Sequence, residues 1–308
     1  MPIDLAGAEQ FIWSAARLVD RHRYSFLFDH GSPAPVIEAL RGYQNPDGGF
    51  GHALEPDLRC PSSQPAATLY ALEILNEAGA GDHDLARRAR SWVGAVAEPD
   101  GGVRFVLPGF EGYPHAPWWA DSGDATPSSE AGSFLTLGFA TAFHDAGVSD
   151  DWLTRASEWC WRSIETVEEP GGYWLRYALA FLDSVPDAER ASAAIASLAG
   201  RLDPSMISPV GGEGEALRPL DLSPRPASRS RELVGQARID AHLDNIESEQ
   251  QDDGGWMFDW LAWSPVQTSR SAGSTWPHRD ALKWPHPRTR CTCCCPFYHS
   301  APALMRLW

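Results

Sequence analysis

Two short segments of the chain combine carboxylates with aromatic or basic residues at spacings that could support proton transfer. One is HAPWWADSGD, in which Asp121 and Asp124 follow a pair of tryptophans. The other is GHALEPDLR, in which Glu55 and Asp57 stand two residues apart. Neighbouring carboxyls can hold different pKa values and so act as acid and base. We therefore predict that these four residues are the catalytic acids.

Other residues in these segments, and in the third segment WMFDWLAW, could bind a substrate. Tryptophan faces stabilise cations and stack on sugars, and a carboxyl among aromatic rings has a raised pKa. The predicted substrate-binding residues are His52, Arg59, His115, Trp118, Trp119, Asp259 and Trp260. The alternative stays open that local ion pairs tie these loops down and that the aromatic rings cover the core.

A short phrase recurs along the chain, and it lies between the elements that would position these residues. It reads QNPDGGF at 44–50 and QQDDGGW at 250–256, and degenerate copies occur at 98–103 and 169–174. Paired glycines permit the positive φ of a sharp turn. Asp47, Asp100 and Asp253 occupy the same position of the phrase, and we expect them to stabilise its turn. Internal repetition of this kind is typical of stacked supersecondary units.

The segments between the phrases have helical periodicity, and none has a convincing period of two. The predicted helices span residues 6–28, 33–43, 64–79, 83–97, 128–146, 150–166, 172–184, 187–201 and 230–250. The region 203–229 is rich in Pro, Gly and Ser, which predicts a long loop. Polar and apolar helices alternate, so each hairpin must stack on its neighbours. We predict an all-α fold of about five to six helical hairpins.

The Gln-x-x-x-Gly-x-aromatic phrase at 44–50 and 250–256 resembles the repeat of terpenoid cyclases and protein prenyltransferase β-subunits. The resemblance covers residues 6–262. It implies an α/α toroid, in which an inner and an outer ring of helices enclose a cavity. It also implies acid-initiated carbocation chemistry on an apolar isoprenoid substrate. Closure of the ring at the C-terminal end stays open, because no clear last inner helix follows the final phrase.

The chain departs from that family at the catalytic motifs. It contains no Asp-x-Asp-Asp acid motif, and no Asp, Cys and His triad for zinc can be placed. Two alternatives to a cyclase-like enzyme therefore remain. One is a non-catalytic toroid that binds a ligand or a protein partner, and the other is a carbohydrate-active α/α-barrel enzyme. We favour an enzyme without cofactor or metal, and predict that its two acid-containing loops lie at one mouth of the cavity.

Composition limits the classes of binding partner and the cellular location that we expect for this protein. The net charge of −16 disfavours nucleic acid and anionic membranes as partners. No apolar run reaches the ~20 residues that span a bilayer, and the N-terminus lacks signal-peptide features, which predicts a cytoplasmic protein. Four cysteines crowd into 291–295 and are too bunched for a zinc site. We predict a toroid domain at 1–267 and an irregular tail at 268–308 that is rich in Pro, His and Cys; the oligomeric state is left open.

Overall fold

The computed structural model describes residues 3–120, 133–210 and 217–256. Within these ranges the chain forms helices and loops, and its β-structure is limited to isolated bridges. Four of the predicted site residues lie outside the described ranges: Asp121, Asp124, Asp259 and Trp260. The predicted boundary near residue 267 and the tail at 268–308 also lie outside them. None of the described helices is long and apolar enough to cross a membrane.

The helices alternate between a more polar and a more apolar kind in chain order. The α-helices are α1 (Leu5–Ala15), α2 (Leu18–Phe28), α3 (Ala34–Arg41), α4 (Pro65–Glu77), α5 (Asp84–Val96), α6 (Pro117–Ala120), α7 (Leu135–Asp145), α8 (Asp151–Thr166), α9 (Gly172–Ser184), α10 (Ala188–Ala199), α11 (Pro219–Leu222), α12 (Arg231–Val234) and α13 (Gln236–Glu249). One turn of 3₁₀-helix spans Pro204–Met206.

Helices α2, α4, α7, α9 and α11 line the inside of the ring, and the longer of the helices between them pack outside it. In the inner layer α4 packs on α7, α7 on α9 and α9 on α11. Each inner helix also packs on the outer helix that follows it, as α4 does on α5 and α7 on α8. Burial explains the sorting: α4 buries nine of its thirteen residues, whereas α5 buries five of thirteen on one face. The prediction of an all-α toroid of helical hairpins is confirmed.

The repeated phrase joins each hairpin to the next outer helix. The amide of Gln44 spans the turn by donating to the carbonyl oxygen of Gly48, and it also donates to the carbonyl oxygen of Leu85 on α5, both at 2.9 Å. Asp47 accepts a hydrogen bond from the backbone N–H of Gly49 at 3.0 Å. The same bond recurs in later copies, where Asp100 and Asp253 are the acceptors, so the predicted turn role of these aspartates is confirmed.

The last copy of the phrase closes the ring against the first helix. The amide of Gln250 donates to the carbonyl oxygen of Asp4 at 2.9 Å and accepts from its backbone N–H at 2.7 Å. Asp4 caps the N-terminus of α1, so this contact is the counterpart of the one between Gln44 and α5. Helix α1 therefore occupies the outer-ring position that follows α13.

Gly254 provides a direct test of this closure. Its φ is +83°, and a Cβ atom there would collide with the backbone of Gly7 in α1. We expect Gly254→Ala to lower the free energy of unfolding at least twice as much as Gly79→Ala. Gly79 has a similar φ of +65° but open space around it, so it reports only the cost of the left-handed conformation, about 1–2 kcal/mol.

Urea denaturation of both variants and the wild type measures this difference. Equal destabilisation would show that the last phrase does not pack on α1 in solution, and the ring would then be open.

The first two helices differ from the sequence-based prediction of one helical segment over 6–28. The chain is extended at Ala16 and Arg17, which end α1 and begin α2. The Arg17 guanidinium holds this corner, since it donates to the carbonyl oxygen of Leu54 at 2.9 Å and to the Asp20 carboxylate at 2.7 Å. The break turns α2 inward, so that α1 can take an outer position.

A buried ion cluster fixes α2 to α4 inside the ring. Asp20 is fully buried and faces Arg17 at 2.7 Å and Arg23 at 3.6 Å. Arg23 also makes a bidentate contact with Glu77 on α4, at 2.8 and 3.2 Å, and donates to the hydroxyl of Tyr70 at 3.0 Å. Two guanidiniums and two carboxylates therefore compensate one another where helix faces meet.

The region 203–229 is a loop only in part. It contains the 3₁₀ turn and the short helix α11, which packs on α9 and takes the place of an inner helix. The sequence around it is too rich in Pro and Ser to show helical periodicity, so this inner element was not predicted.

Candidate functional site

The inner helices enclose a cavity of about 440 Å³, here called the lumen. Its walls come from α2, α4, α7, α9 and α11, mostly from the C-terminal halves of α4, α7 and α9. The titratable side chains that line it are Arg23, Tyr70, Glu73, Glu77, Asp145, Arg176, Tyr177, Asp183, Asp221 and Arg225. The lining is therefore strongly polar for the interior of an all-α fold, which identifies the lumen as the candidate site.

Most of the lumen carboxylates have a direct partner. Glu77 pairs with Arg23 at 2.8 Å, and Asp145 pairs with Arg225 at 3.0 Å. Asp183 accepts two hydrogen bonds from Ser230, one from the backbone N–H at 2.9 Å and one from the hydroxyl at 2.6 Å. These partners satisfy the hydrogen-bonding capacity of each carboxylate.

Glu73 differs from them. It lies on α4, and no described residue forms a hydrogen bond or a close ion pair with it. Its side chain is exposed to the solvent of the lumen, which it lines together with the inner helices α7 and α9. Its position between these helices desolvates the Glu73 carboxyl and raises its pKa, an effect that the more distant Arg176 and Arg23 oppose. Glu73 is therefore the lumen carboxyl whose protonated form is favoured by its surroundings.

Arg176 projects from α9 towards Glu73. Burial alone would lower the pKa of its guanidinium, but four neighbours raise that pKa above its ordinary value. In order of their effect they are Tyr177, Glu73, Asp221 and Tyr173. The guanidinium also lies 5.4 Å from the ring centre of Tyr177. Arg176 is therefore a lumen cation whose charge is favoured by carboxyls of α4 and α11.

Tyrosine rings form much of the rest of the wall. Burial raises the pKa of Tyr177, and the charge of Glu73 raises it further. Burial likewise raises the pKa of Tyr70, whose hydroxyl accepts from Arg23. Both phenols therefore stay neutral at physiological pH, and their rings face cations of the protein, since Arg17 and Arg23 lie 5.8 and 5.7 Å from the ring centre of Tyr70.

A stack of aromatic rings runs from the lumen wall to the surface. Tyr177 lies 5.7 Å from Phe134, Phe134 lies 5.5 Å from Phe105, and Phe105 stacks on Trp119 at 4.6 Å. Trp119 is 5% exposed, and it packs in a small cluster away from the lumen. Its neighbour Trp118 is 47% exposed. The two predicted pocket tryptophans therefore have different surroundings.

The two predicted acid-containing loops lie side by side, as expected from the sequence. Leu58 pairs with His115 in an isolated antiparallel bridge, and the backbone N–H of Ala116 donates to the carbonyl oxygen of Asp57 at 2.9 Å. Glu55 lies close enough to Tyr173 and Tyr177 for its charge to raise the pKa of each phenol. The loops therefore lie at the mouth formed by the N-termini of the inner helices.

The remaining predicted residues are held by contacts within these loops. His52 has a φ of +54°, and its Nε2 lies 3.0 Å from the side-chain oxygen of Asn45. His115 Nδ1 lies 2.7 Å from the carbonyl oxygen of Tyr113. Arg59 is exposed, and its backbone N–H donates to the carbonyl oxygen of Pro114. None of the described predicted residues is among those that line the lumen.

Possible metal ligands were also compared across the described ranges. There, no three His, Cys, Asp or Glu side chains converge as a metal site requires.

Comparisons with known proteins add only a distant structural likeness. No family model and no curated protein sequence matches the chain. The chain is similar to a protein from Actinoplanes, with 15% identity, a TM-score of 0.49 and 82% of each chain covered. It is also similar to the type II terpene cyclase MstE from Scytonema, with 15% identity, a TM-score of 0.49, and 92% of this chain and 90% of that one covered. A substrate complex of an MstE variant, with geranylgeranyl dihydroxybenzoate, has 14% identity and a TM-score of 0.41, with 82% of this chain and 70% of that one covered.

The lumen residues that sequence reasoning missed carried a usable signal. Glu73 is a single acid within the apolar run LYALEIL, and Arg176 is a single base within YWLRYALAFL. A lone charge in a helix that is apolar on all sides must face either a partner or a cavity. In a toroid the inner helices border the lumen, so these two charges could have been assigned to its wall.

Proposed function

We propose that this chain is a terpenoid-cyclase-like enzyme that protonates an unsaturated, isoprenoid-like substrate in the lumen, with Glu73 as the proton donor. The observation that carries the proposal is the position of Glu73. It is an enclosed carboxyl with a raised pKa, and it has no hydrogen-bond or close ion-pair partner among the described residues. A neutral carboxyl of this kind can give its proton to a substrate near neutral pH.

The chemistry follows from the groups around Glu73. Its proton passes to a carbon of a substrate double bond, which leaves a carbocation on the substrate and a carboxylate on the protein. The π faces of Tyr70 and Tyr177 stabilise the cation. Arg176 stabilises the new carboxylate, so that charge is balanced on both sides of the transfer.

The polar side chains at one end of the lumen indicate which kind of substrate it could bind. Asp145, Asp183 and Arg225 lie at the C-terminal ends of the inner helices, away from the aromatic stack. A pure hydrocarbon would displace water from these paired groups and offer them no hydrogen bond in return. We therefore propose a substrate whose unsaturated part lies against the tyrosines and whose polar group lies at this end.

The proposal also includes the loop residues predicted from the sequence, which would lie at the mouth opposite the polar end of the lumen. Glu55 and Asp57, with His52, Arg59, His115, Trp118 and Trp119, would form the entrance through which the substrate reaches Glu73. Asp121 and Asp124 follow these loops in sequence and remain candidate acids, and Asp259 and Trp260 remain candidate substrate contacts.

A carbohydrate-active enzyme is the second candidate. The observation that favours it is the charged lining of the lumen, because hydroxyl-rich ligands need many hydrogen-bonding partners. In this case Glu73 would protonate a glycosidic oxygen instead of a carbon atom, and a second carboxylate would serve as base or nucleophile.

A ligand panel separates the two candidates. Native mass spectrometry and thermal-shift assays would be run with prenyl diphosphates, polyprenols, geranylgeranyl dihydroxybenzoate and oligosaccharides. We expect a prenylated compound with a polar group to bind and to raise the unfolding temperature. Binding of oligosaccharides alone would overturn the isoprenoid assignment in favour of the second candidate. If no compound of the panel bound, both candidate functions would be contradicted, and a toroid that binds a protein partner would be favoured.

A further inference from the structure

Helix α7 contains a glycine where it borders the lumen. Gly138 lies inside this helix, and among the described residues that line the lumen it is the only glycine. A glycine inside a helix is destabilising relative to alanine, because it loses more conformational freedom on folding. Gly138 does not have a positive φ, so its backbone conformation does not require glycine. The reason for a glycine at this position must therefore lie in the space around it.

That space is filled by side chains from the two neighbouring inner helices. A Cβ atom added at Gly138 would lie 2.6 Å from Leu69 Cδ2 on α4 and 2.9 Å from two ring carbons of Tyr177 on α9. Both distances are well below the separation of about 3.5–4.0 Å at which carbon atoms pack. The absence of a Cβ atom therefore allows both side chains to lie directly against the backbone of α7.

The two neighbours differ in their freedom to move away. Leu69 is 1% exposed and lies within the main hydrophobic core. The Tyr177 ring has the nearly parallel ring of Phe134 at 5.7 Å and the Arg176 guanidinium at 5.4 Å, but it also borders the lumen. An atom added at Gly138 would therefore displace the Tyr177 ring, and the open space that can receive the ring is the lumen.

We propose that Gly138 is a positioning residue that sets the width of the lumen at Tyr177 and thereby the length of the prenyl chain that the lumen admits. This inference rests on the proposed function, because it concerns the unsaturated part of the same substrate. With glycine at this position, the Tyr177 ring lies back against α7 and leaves room for a long prenyl chain. A larger residue would move the ring into the lumen and restrict binding to shorter chains.

Replacing Gly138 with alanine tests the effect on chain length. The probes are geranyl, farnesyl and geranylgeranyl diphosphate, and their dissociation constants are measured on the full chain by titration calorimetry. We expect Gly138→Ala to weaken binding of the longest probe by about 10-fold or more, as one methylene does in a tight pocket, and to change binding of the shortest by less than about twofold. The matched control is Gly94→Ala on the outer helix α5, where an added Cβ meets no neighbour, and this variant should bind all three probes as the wild type does.

A double variant shows whether Gly138 acts through Tyr177. Tyr177→Leu removes the ring, so it should favour the longest probe, and Gly138→Ala should then no longer alter the preference. An equal change of preference with and without the ring would overturn the inference. Tyr177→Leu also provides a test if Gly138→Ala folds poorly, since an unchanged preference in Tyr177→Leu would show that the ring does not limit chain length.

The position of the ring is measured separately from binding. Isotope-labelled tyrosine makes the ring signals of the seven tyrosines visible by NMR, and Tyr177→Phe identifies the signal of Tyr177. We expect Gly138→Ala to shift this signal, because the nearby Phe134 ring makes it sensitive to displacement, and Gly94→Ala to leave it in place. A Tyr177 signal that did not move in Gly138→Ala would overturn the inference.

The two measurements separate this inference from the proposed function. If the wild type bound the diphosphates but Gly138→Ala did not change the preference for chain length, this inference alone would fail. If the wild type bound none of them, the isoprenoid assignment and the role in chain length would fail together, and the Tyr177 signal would decide whether Gly138 positions the ring.

Discussion

Replacing Glu73 with Gln is expected to lower the turnover of a bound prenylated substrate by about 10²- to 10⁴-fold, the usual contribution of a general acid. The amide has nearly the shape of the carboxyl but has no proton of comparable acidity. Binding should change little, because the substrate is held by the tyrosines and by the polar end of the lumen. The measurement is a steady-state assay of the variant with the substrate that the ligand panel identifies.

The same substitution should make the folded state more stable at neutral pH. Burial raises the pKa of Glu73, so between its unfolded value of about 4.3 and its folded value the native state binds more protons than the unfolded state. The free energy of unfolding of the wild type therefore falls as pH rises through this window. The amide introduced by Glu73→Gln does not titrate, so the stability gain of the variant should vanish below a pH of about 4, where the wild-type carboxyl is protonated in both states.

Glu38→Gln is the matched control for both effects. It is the same chemical change on the outer helix α3, where the Glu38 side chain is 63% exposed and contacts only the neighbouring Arg41. Neither turnover nor the pH dependence of stability should change noticeably in this variant. Full activity of Glu73→Gln would contradict the assignment of the donor.

Replacing Asp20 with Asn is expected to give the largest loss of stability, about 3–5 kcal/mol of the free energy of unfolding. Asp20 is fully buried between Arg17 and Arg23. Without its charge, Arg17 would lose its carboxylate partner and Arg23 would keep only Glu77. The loss should appear as a lower urea midpoint with an unchanged slope, since the folded state keeps its compactness.

The control for this prediction is again the exposed pair on α3. Glu38→Gln removes one partner of an ion pair that solvent screens, so its urea midpoint should match that of the wild type. If Asp20→Asn behaved in the same way, the buried cluster would not hold α2 against α4, and the inner ring would depend on apolar packing alone.

Much of the fold could be predicted because the repeat and the helical period are local signals. The helix predicted over 64–79 is α4, and the helix predicted over 150–166 is α8 with nearly the same ends. Asp150 caps α8 by accepting from the backbone N–H of Leu153, and such caps are readable in sequence. The short α11 was missed because its position in the inner ring is fixed by contacts with α9 and α13, which are distant in sequence.

The candidate site was harder to predict, for a physical reason. The sequence analysis selected acids in loops, such as Glu55 and Asp57, because several polar residues lie close together in sequence there. The lumen instead brings together single residues from separate helices, and Glu73 and Arg176 are about a hundred positions apart. Their proximity is a property of the closed ring, so only the order of the inner helices reveals it.

The central claim is that the Glu73 carboxyl in the lumen keeps its proton to a higher pH than an ordinary glutamate does. The most direct measurement is the infrared titration of wild type minus Glu73→Gln, followed from pH 4 to pH 9 without any substrate. The account predicts one protonated carboxyl that persists above the ordinary glutamate value of about 4.3. A Glu73 carboxyl that ionises at or below that value would contradict it.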